Sequence, residues 1–329
     1  MKALVYTAPN EVTYRDEPAP ARGAGEVLIG IDAVGICGSD MHAYHGHDPR
    51  RAPPLILGHE LAGRILEGPG AGRRVTVNPL ITCGVCEYCR QGRDNLCANR
   101  TMIGMTRAGG FAELMTTAAG SVIDLPQDMG VRQAALTEPA ATALHAVNVA
   151  ARASVRPLPE CRVLVQGGGA IGMLATLLLA SYGVRHIEVG ETNPLRRASL
   201  TAATGAAVYD PRDRSPGDNG ADLVIDAVGA AATRRTALAA VKPGGVVMHV
   251  GLLDWASEID MRKLTLAEIT LIGTYTYSTS DLRAAAQALH EGAFGDLAWV
   301  EERPLADGAA AFRDLHEGRS AAAKIVLRP

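Results

Sequence analysis

Arg162-Val163-Leu164-Val165-Gln166-Gly167-Gly168-Gly169-Ala170-Ile171-Gly172 is the stretch on which the fold turns. Val163 to Gln166 read as a buried strand, and the apolar run Ile171 to Tyr182 reads as a helix. Between them Gly167, Gly169 and Gly172 fall in the spacing G-x-G-x-x-G. A glycine-rich turn alone says little. Placed between a strand and an apolar helix, it is the fingerprint of a dinucleotide-binding unit, in which backbone N–H groups approach a pyrophosphate lying on the helix N-terminus. Gly167, Gly169, Ala170, Ile171 and Gly172 are the candidate cofactor-binding residues. Glu191 stands just past the next strand, where a carboxylate accepts hydrogen bonds from an adenosine ribose and repels a 2′-phosphate. Arg196 and Arg197 pull the other way, because an arginine there binds such a phosphate. NAD is expected over NADP.

From Arg162 onward the texture alternates. Strands His186–Val189, Asp222–Asp226, Val246–Val250 and Thr270–Gly273 are separated by helices Leu195–Thr204 and Thr233–Val241, with a turn at Lys242-Pro243-Gly244-Gly245. This alternation predicts a doubly wound parallel sheet, hence an α/β fold. Before it, residues up to about 125 read as short strands and turns: Ala3–Tyr6, Glu26–Ile31, Arg64–Leu66 and Arg73–Val77, with Gly and Pro between them. Pro139 to Ala153 reads as a helix, Asp281 to His290 as another, and the chain closes on the strand Ala323–Leu327.

At 329 residues and 47% apolar content the chain has room for two domains. A net charge of −3 offers no basic face, so nucleic acid is not an expected partner. The arginine excess, with only four lysines, reads as codon bias. Met1–Tyr6 shows no signal-peptide pattern, and the apolar run Ala170–Tyr182 is too short to span a bilayer. A cytoplasmic protein that engages no membrane is expected.

Cys83-x2-Cys86-x2-Cys89-x7-Cys97 is the most specific signal in the chain. Four thiolates on one short loop close a tetrahedral shell around Zn²⁺ and leave no open position, which is a structural site. Cys161 lies outside this cluster and reads as a small core residue. Upstream, Cys37-Gly38-Ser39-Asp40-Met41-His42 and Gly58-His59-Glu60 offer a thiolate, an imidazole and a carboxylate. These are the ligand types of a catalytic zinc with an open position.

With Thr137-Glu138-Pro139, Gly273-Thr274-Tyr275-Thr276-Tyr277 and the closing Lys324-Ile325-Val326-Leu327, these motifs resemble the zinc-dependent medium-chain alcohol dehydrogenase family, in its polyol (sorbitol) and L-threonine dehydrogenase branch. The resemblance covers essentially the whole chain. It implies a GroES-like β-rich catalytic domain of residues 1–145 and 281–329, including the structural zinc lobe 83–97, and a Rossmann NAD-binding domain of residues 146–280. It implies two Zn²⁺ per subunit. The catalytic ion is held by Cys37 and His59, with Glu60 or Glu138 completing the protein ligands; Cys83, Cys86, Cys89 and Cys97 hold the structural ion. Charge counting sets the two glutamates against each other, since a second carboxylate makes the site anionic and weakens its acidity. Asp40 is the natural partner for the second ring nitrogen of His59.

The resemblance also implies catalytic roles for Ser39 and His42, a relay that takes the proton of the substrate alcohol while hydride goes to NAD; Glu138 is placed with them. His45 and His47, in the following loop, either touch substrate or are solvated, and solvation is the favoured reading. The implied substrate is a secondary alcohol of a polyol, amino alcohol or aminocyclitol, reversible to the ketone, with L-threonine 3-dehydrogenase and an inosamine-type biosynthetic dehydrogenase as alternatives. Assembly as a homodimer or homotetramer is implied too. From a different class, a non-catalytic zinc- and nucleotide-binding protein remains, although intact Cys37, Ser39, His42, His59 and Glu138 argue against it. One departure stands out: Glu67-Gly68-Pro69-Gly70-Ala71-Gly72-Arg73-Arg74 is compressed relative to the family, and a trimmed loop with both metal sites intact is expected.

Overall fold

The computed structural model describes residues 1–329. Six parallel strands, Arg162–Gln166, His186–Gly190, Ala207–Tyr209, Ala221–Asp226, Val241–His249 and Thr270–Gly273, form one sheet. Their spatial order is third, second, first, fourth, fifth, sixth. The strand order reverses beside Gln166, which pairs with Gly190 on one side and Asp226 on the other. That crevice is where doubly wound sheets take their ligands. Period-two alternation divides the strands: Val163, Val165, Ile187, Val189, Leu223 and Ile225 share a core with the helix Ala170–Ser181, while Leu164 and Val224 pack toward the helix Ala231–Ala240.

Two local expectations change. The turn at Lys242–Gly245 lies within the strand Val241–His249, whose pairing shifts register between Ala221 and Leu223 to absorb it. The short edge strand Ala207–Tyr209 went unread in the sequence, and its return to Ala221 holds no helix. Pro211, Pro216, Gly217 and Gly220 explain this, since they punctuate any helical run there. Arg214 closes that side, lying over the Tyr209 ring at 4.2 Å and pairing with Glu188 at 2.9 Å.

The second large sheet joins both ends of the chain. The strand Glu26–Gly35 pairs with Glu60–Glu67 on one flank and with the final strand Lys324–Arg328 on the other. Opposite Gly35 lie Glu60 and Val326. This register brings the first and last parts of the sequence to a single point. The compressed segment after Glu67 is a tight turn into Arg74–Val77, with Gly68, Gly70 and Gly72 all at positive φ (103°, 80° and 89°).

The helix Thr137–Ala153 binds the two halves together. Its buried residues share one core with Ala33 and Ala62 of the mixed sheet and with Val163 and Val165 of the parallel one. The expected boundary at residues 145/146 therefore falls inside a continuous helix, and that at 280/281 inside the helix Thr279–His290. No helix is long and apolar enough to cross a membrane.

The packing of the glycine turn yields a test. A Cβ on Gly172 would fall 1.8 Å from the Gly167 carbonyl oxygen, whereas one on Gly169 meets nothing within 4 Å. Gly172→Ala is expected to cost about 2–3 kcal/mol in denaturant unfolding. Gly169→Ala is expected to cost less than about 1 kcal/mol. Equal losses would contradict the close contact.

Candidate active site

The strand Glu26–Gly35 runs out at Ile36, and Cys37 becomes the N-cap of the short helix Gly38–Tyr44. Asp40 folds back, its Oδ2 accepting the Cys37 N–H at 3.0 Å. Its other oxygen faces Nδ1 of His59 at 3.5 Å. Gly58 holds φ +91° with the Phe111 ring 2.8 Å from where a Cβ would sit, so only glycine turns the chain into His59 and Glu60 here. Ligand atoms of Cys37, His59 and Glu60 all lie within 4.8 Å of one another, and His59 and Glu60 are buried.

The electrostatics suit a cation. Burial by itself lowers the His59 pKa, but Asp40 and the Cys37 sulfur reverse this and hold the imidazole well above its ordinary value. Surroundings that pull a proton onto a buried imidazole equally favour a metal ion. Asp40 Oδ1 and His59 Nδ1 have no closer partner, as buried polar atoms do where a bound ion is needed to set ring orientation. A thiolate, an imidazole and a carboxylate in one buried cluster fit Zn²⁺.

Glu138 lies beside this trio but outside it. Burial, reinforced by the negative charge of Glu60, pushes its carboxyl up to about 7 against the pull of His59, Tyr277 and Lys324. Its Oε1 accepts the Tyr277 hydroxyl at 2.7 Å. Glu60 has a different neighbour: Lys324 donates from Nζ to both of its oxygens, at 2.7 and 2.5 Å, and to the Ile36 carbonyl at 2.8 Å. A Cβ on Gly35 would sit 2.3 Å from Glu60 Oε2, so glycine there makes room for the pair.

Ser39 Oγ stands 3.5 Å from His59 Nε2 and receives Arg51 Nη2 at 3.2 Å. Arg51 is buried, bonded also to the carbonyls of Ser39 and Gly104 and paired with Asp48 at 2.7 Å. His42 is half-buried, and burial, with help from His47 and Arg51, lowers its pKa against the opposing pull of Asp48. His45 is half-buried, its Nε2 lying 2.9 Å from Nδ1 of the exposed His316, and His47 is exposed.

Cys83, Cys86, Cys89 and Cys97 also come together within 4.8 Å, with Sγ–Sγ separations of 3.5 Å for Cys86–Cys89 and 3.6 Å for Cys83–Cys97. A tetrahedral shell with Zn–S bonds near 2.3 Å places sulfurs about 3.8 Å apart, so the lobe fits one ion. Backbone N–H groups of Val85 and Cys86 hold the Cys83 thiol down to about 6. Burial and the neighbouring thiols push Cys89 up to about 11. Four thiols this close ionise together only with a cation among them.

On the parallel sheet, Gly169 caps the helix Ala170–Ser181. Glu191 is buried and turns back on the glycine turn, accepting N–H of Gly168 at 2.8 Å and of Asn193 at 2.7 Å. Thr192 Oγ1 adds a longer contact to Oε1 at 3.4 Å, which leaves about one lone-pair position of the carboxylate for a ribose hydroxyl. Arg197 is tied to the Glu191 and Thr192 carbonyls and to Asp210. Arg196 keeps a buried Nε without a partner.

Lys324, Tyr277 and Arg51 are the site residues that sequence reasoning assigned no role. Lys324 and Tyr277 lie in stretches singled out by the resemblance. Arg51, by contrast, carries no local signal in an arginine-rich chain.

Comparison with known proteins places the chain among dehydrogenases. Residues 23–127 match the alcohol dehydrogenase GroES-like domain and residues 170–291 the zinc-binding dehydrogenase domain. L-Galactonate-5-dehydrogenase of Escherichia coli K12 is 31% identical over 337 residues, covering 97% of this chain and 96% of its own. Sorbitol dehydrogenase of Bacillus subtilis is 31% identical over 300 residues, covering 85% and 83%. The crystal structure of galactitol-1-phosphate dehydrogenase from E. coli superposes with TM-score 0.88 at 25% identity, covering all of both chains. Fold and site together define a two-domain zinc-type dehydrogenase. The chain belongs to the zinc-dependent medium-chain alcohol dehydrogenase family.

Lys324 and Glu60 are both nearly inaccessible. Lys324→Met, which leaves a buried carboxylate unpaired, is expected to lose about 3–5 kcal/mol in unfolding of the metal-stripped protein, with Lys324→Arg recovering part of it. A loss below about 1 kcal/mol for the methionine variant would contradict the pairing.

Proposed function

We propose that this protein oxidises a secondary alcohol of a polyol, sugar acid or amino alcohol to the ketone, reversibly, with NAD and two Zn²⁺ per subunit. The observation that carries the proposal is the convergence of half-buried Cys37 with buried His59 and Glu60 within 4.8 Å, in a chain that also holds a dinucleotide turn. Bound there, Zn²⁺ supplies Lewis acidity to a hydroxyl oxygen, and NAD supplies the hydride acceptor.

The chain's own residues do the rest. Ser39 Oγ, beside His59 Nε2, is placed to take the hydroxyl proton. It does so while its own proton passes on toward His42, and Arg51, donating to that Oγ, stabilises the alkoxide character this exchange gives it. His42, partly accessible and held neutral by its lowered pKa, receives the proton near solvent. Asp40 orients the His59 ring. Lys324 offsets one charge of Glu60, so that the trio does not become over-anionic. Glu138, its Oε1 held by the Tyr277 hydroxyl, lies beside the trio and would set the polarity next to a bound ion.

The relatives support this substrate class. Alongside the galactonate and sorbitol enzymes, L-threonine 3-dehydrogenase of Chelativorans is 29% identical over 97% of this chain. The NAD preference rests on Glu191. Oligomerisation through a second copy is supported by the edge strand Thr270–Gly273, which pairs on one side only, and by exposed Leu252, Trp255, Met261, Leu266 and Leu271 around it.

A panel of polyols, sugar acids, L-threonine and aminocyclitols with NAD and NADP tests the reading, with turnover of at least one by NAD as the expected result. NAD is expected to be preferred by about tenfold or more in kcat/KM. Turnover with NADP alone would contradict the role of Glu191. Cys37→Ala is expected to bring zinc from two per subunit to one and to lower kcat/KM by about a thousandfold or more. Two retained zinc ions with full activity would refute the catalytic site.

A further inference from the structure

The four-cysteine lobe and the catalytic cluster belong to different loops, yet a short path of hydrogen bonds and backbone runs from the lobe to Glu138, beside that cluster. Between Cys89 and Cys97 the chain makes a single turn, Asp94–Leu96, that presents two side chains to the segment after the last parallel strand. Asn95 is buried and donates from Nδ2 to the Tyr275 carbonyl at 2.8 Å. Asp94 accepts the Thr279 backbone N–H at 3.1 Å and also its hydroxyl. Asn78 donates to the same hydroxyl at 3.0 Å. Arg100 completes the contact, with its guanidinium 4.7 Å from the Tyr275 ring centroid and its Nη1 on the Cys97 carbonyl at 2.7 Å.

The held segment is one that does not keep its shape unaided. Thr276 sits at φ +46°, a left-handed conformation that a β-branched residue rarely adopts. Such conformations persist only where surrounding contacts over-determine them. Here the contacts lie on both sides of Thr276, at Tyr275 and Thr279, and all come from the lobe or its flanks. Beyond Thr279, Ser278 caps the helix Thr279–His290, and Asp281 in its first turn pairs with His145 at 2.8 Å on the helix that carries Glu138. Between these anchors stands Tyr277, fully buried, whose hydroxyl is on Glu138 Oε1.

We infer that the four-cysteine lobe is a positioning element of the catalytic site. Through Asp94 and Asn95 it clamps the Tyr275–Thr279 segment in its left-handed turn. Tyr277 is thereby fixed as the donor that sets the orientation of the Glu138 carboxyl beside the zinc-ligand trio. Asp94, Asn95, Thr279 and Tyr277 are positioning residues, and the metal of the lobe acts on turnover through them. The inference rests on the reading of Cys37, His59 and Glu60 as the catalytic zinc site with Glu138 beside it.

The test uses the zinc-loaded full chain with Asn95→Ala, Thr279→Val, Thr279→Ser, Tyr277→Phe and Cys97→Ser. Three readouts are taken on each: zinc per subunit, amide hydrogen exchange of peptides covering residues 274–280, and kcat with KM for NAD and alcohol. Asn95→Ala and Thr279→Val are expected to keep the zinc content of the parent. Their exchange should quicken in 274–280, and kcat should fall by roughly tenfold to a hundredfold with the KM for NAD within about twofold. Thr279→Ser is expected to restore both protection and kcat. Cys97→Ser is expected to lose one zinc and reproduce the exchange and kcat changes. Tyr277→Phe is expected to lower kcat while leaving exchange of the segment protected.

Unchanged exchange in 274–280 for Asn95→Ala, Thr279→Val and Cys97→Ser would overturn the clamp, and quickened exchange with unchanged kcat would overturn its action on the site. A parent protein with no NAD-dependent turnover of any alcohol would refute the dehydrogenase reading instead, and the exchange readout would still decide whether the lobe holds the segment.

Discussion

The arrangement depends on one buried ion pair. Glu60 and Lys324 meet across Gly35, on strands that begin 264 residues apart, and neither reaches solvent. Removing two charges from water is costly, and their attraction repays that cost only with close geometry and further hydrogen bonds. Both conditions are met, with two short contacts to the carboxylate and a third hydrogen bond to the Ile36 carbonyl. The closing strand is thereby pinned at the point where the chain enters Cys37. The pair also tempers the negative charge of the catalytic cluster, which a second free carboxylate would otherwise deepen.

Around that pair the site is a balance of buried charge. Asp40, Cys37, Glu60 and Glu138 stand against Lys324, Arg51 and a protonatable His59. Asp40 and the Cys37 sulfur hold the His59 imidazole well above its ordinary value, and burial, reinforced by Glu60, pushes the Glu138 carboxyl up to about 7. A divalent cation settles that balance where protons otherwise must. In the lobe, backbone N–H groups of Val85 and Cys86 hold the Cys83 thiol down while burial and the neighbouring thiols push Cys89 up. Both clusters carry ligand types that suit a metal ion, and both are placed by loops whose glycines tolerate no side chain or turn the chain sharply.

Much of this was legible in the sequence because spacing is local information. The strand, glycine turn and apolar helix at 162–182 announced the parallel sheet, and the cysteine spacing announced the lobe. Cys37 and Gly58-His59-Glu60 supplied the trio. What could not be read was tertiary. Lys324 pairs with Glu60 only because the last strand lies beside Gly35, and no spacing encodes that. Arg51 looked like one of many arginines, and only burial against Ser39 distinguishes it. The helix-free crossover at 210–220 could have been anticipated from its prolines and glycines. The strand Ala207–Tyr209 was missed because three residues carry too little periodicity. The surface contact of His45 with His316 could not be anticipated, because the two lie 271 residues apart.

Anomalous diffraction at the zinc edge from crystals of the zinc-loaded protein tests the central claim most directly. Two peaks per chain are predicted. One lies about 2.0–2.3 Å from Cys37 Sγ, a His59 ring nitrogen and a Glu60 oxygen, with Lys324 still on that carboxylate, and the other lies among the four lobe sulfurs. A single peak per chain, or a catalytic ion bound by Glu138 with Glu60 held only by Lys324, would contradict the account.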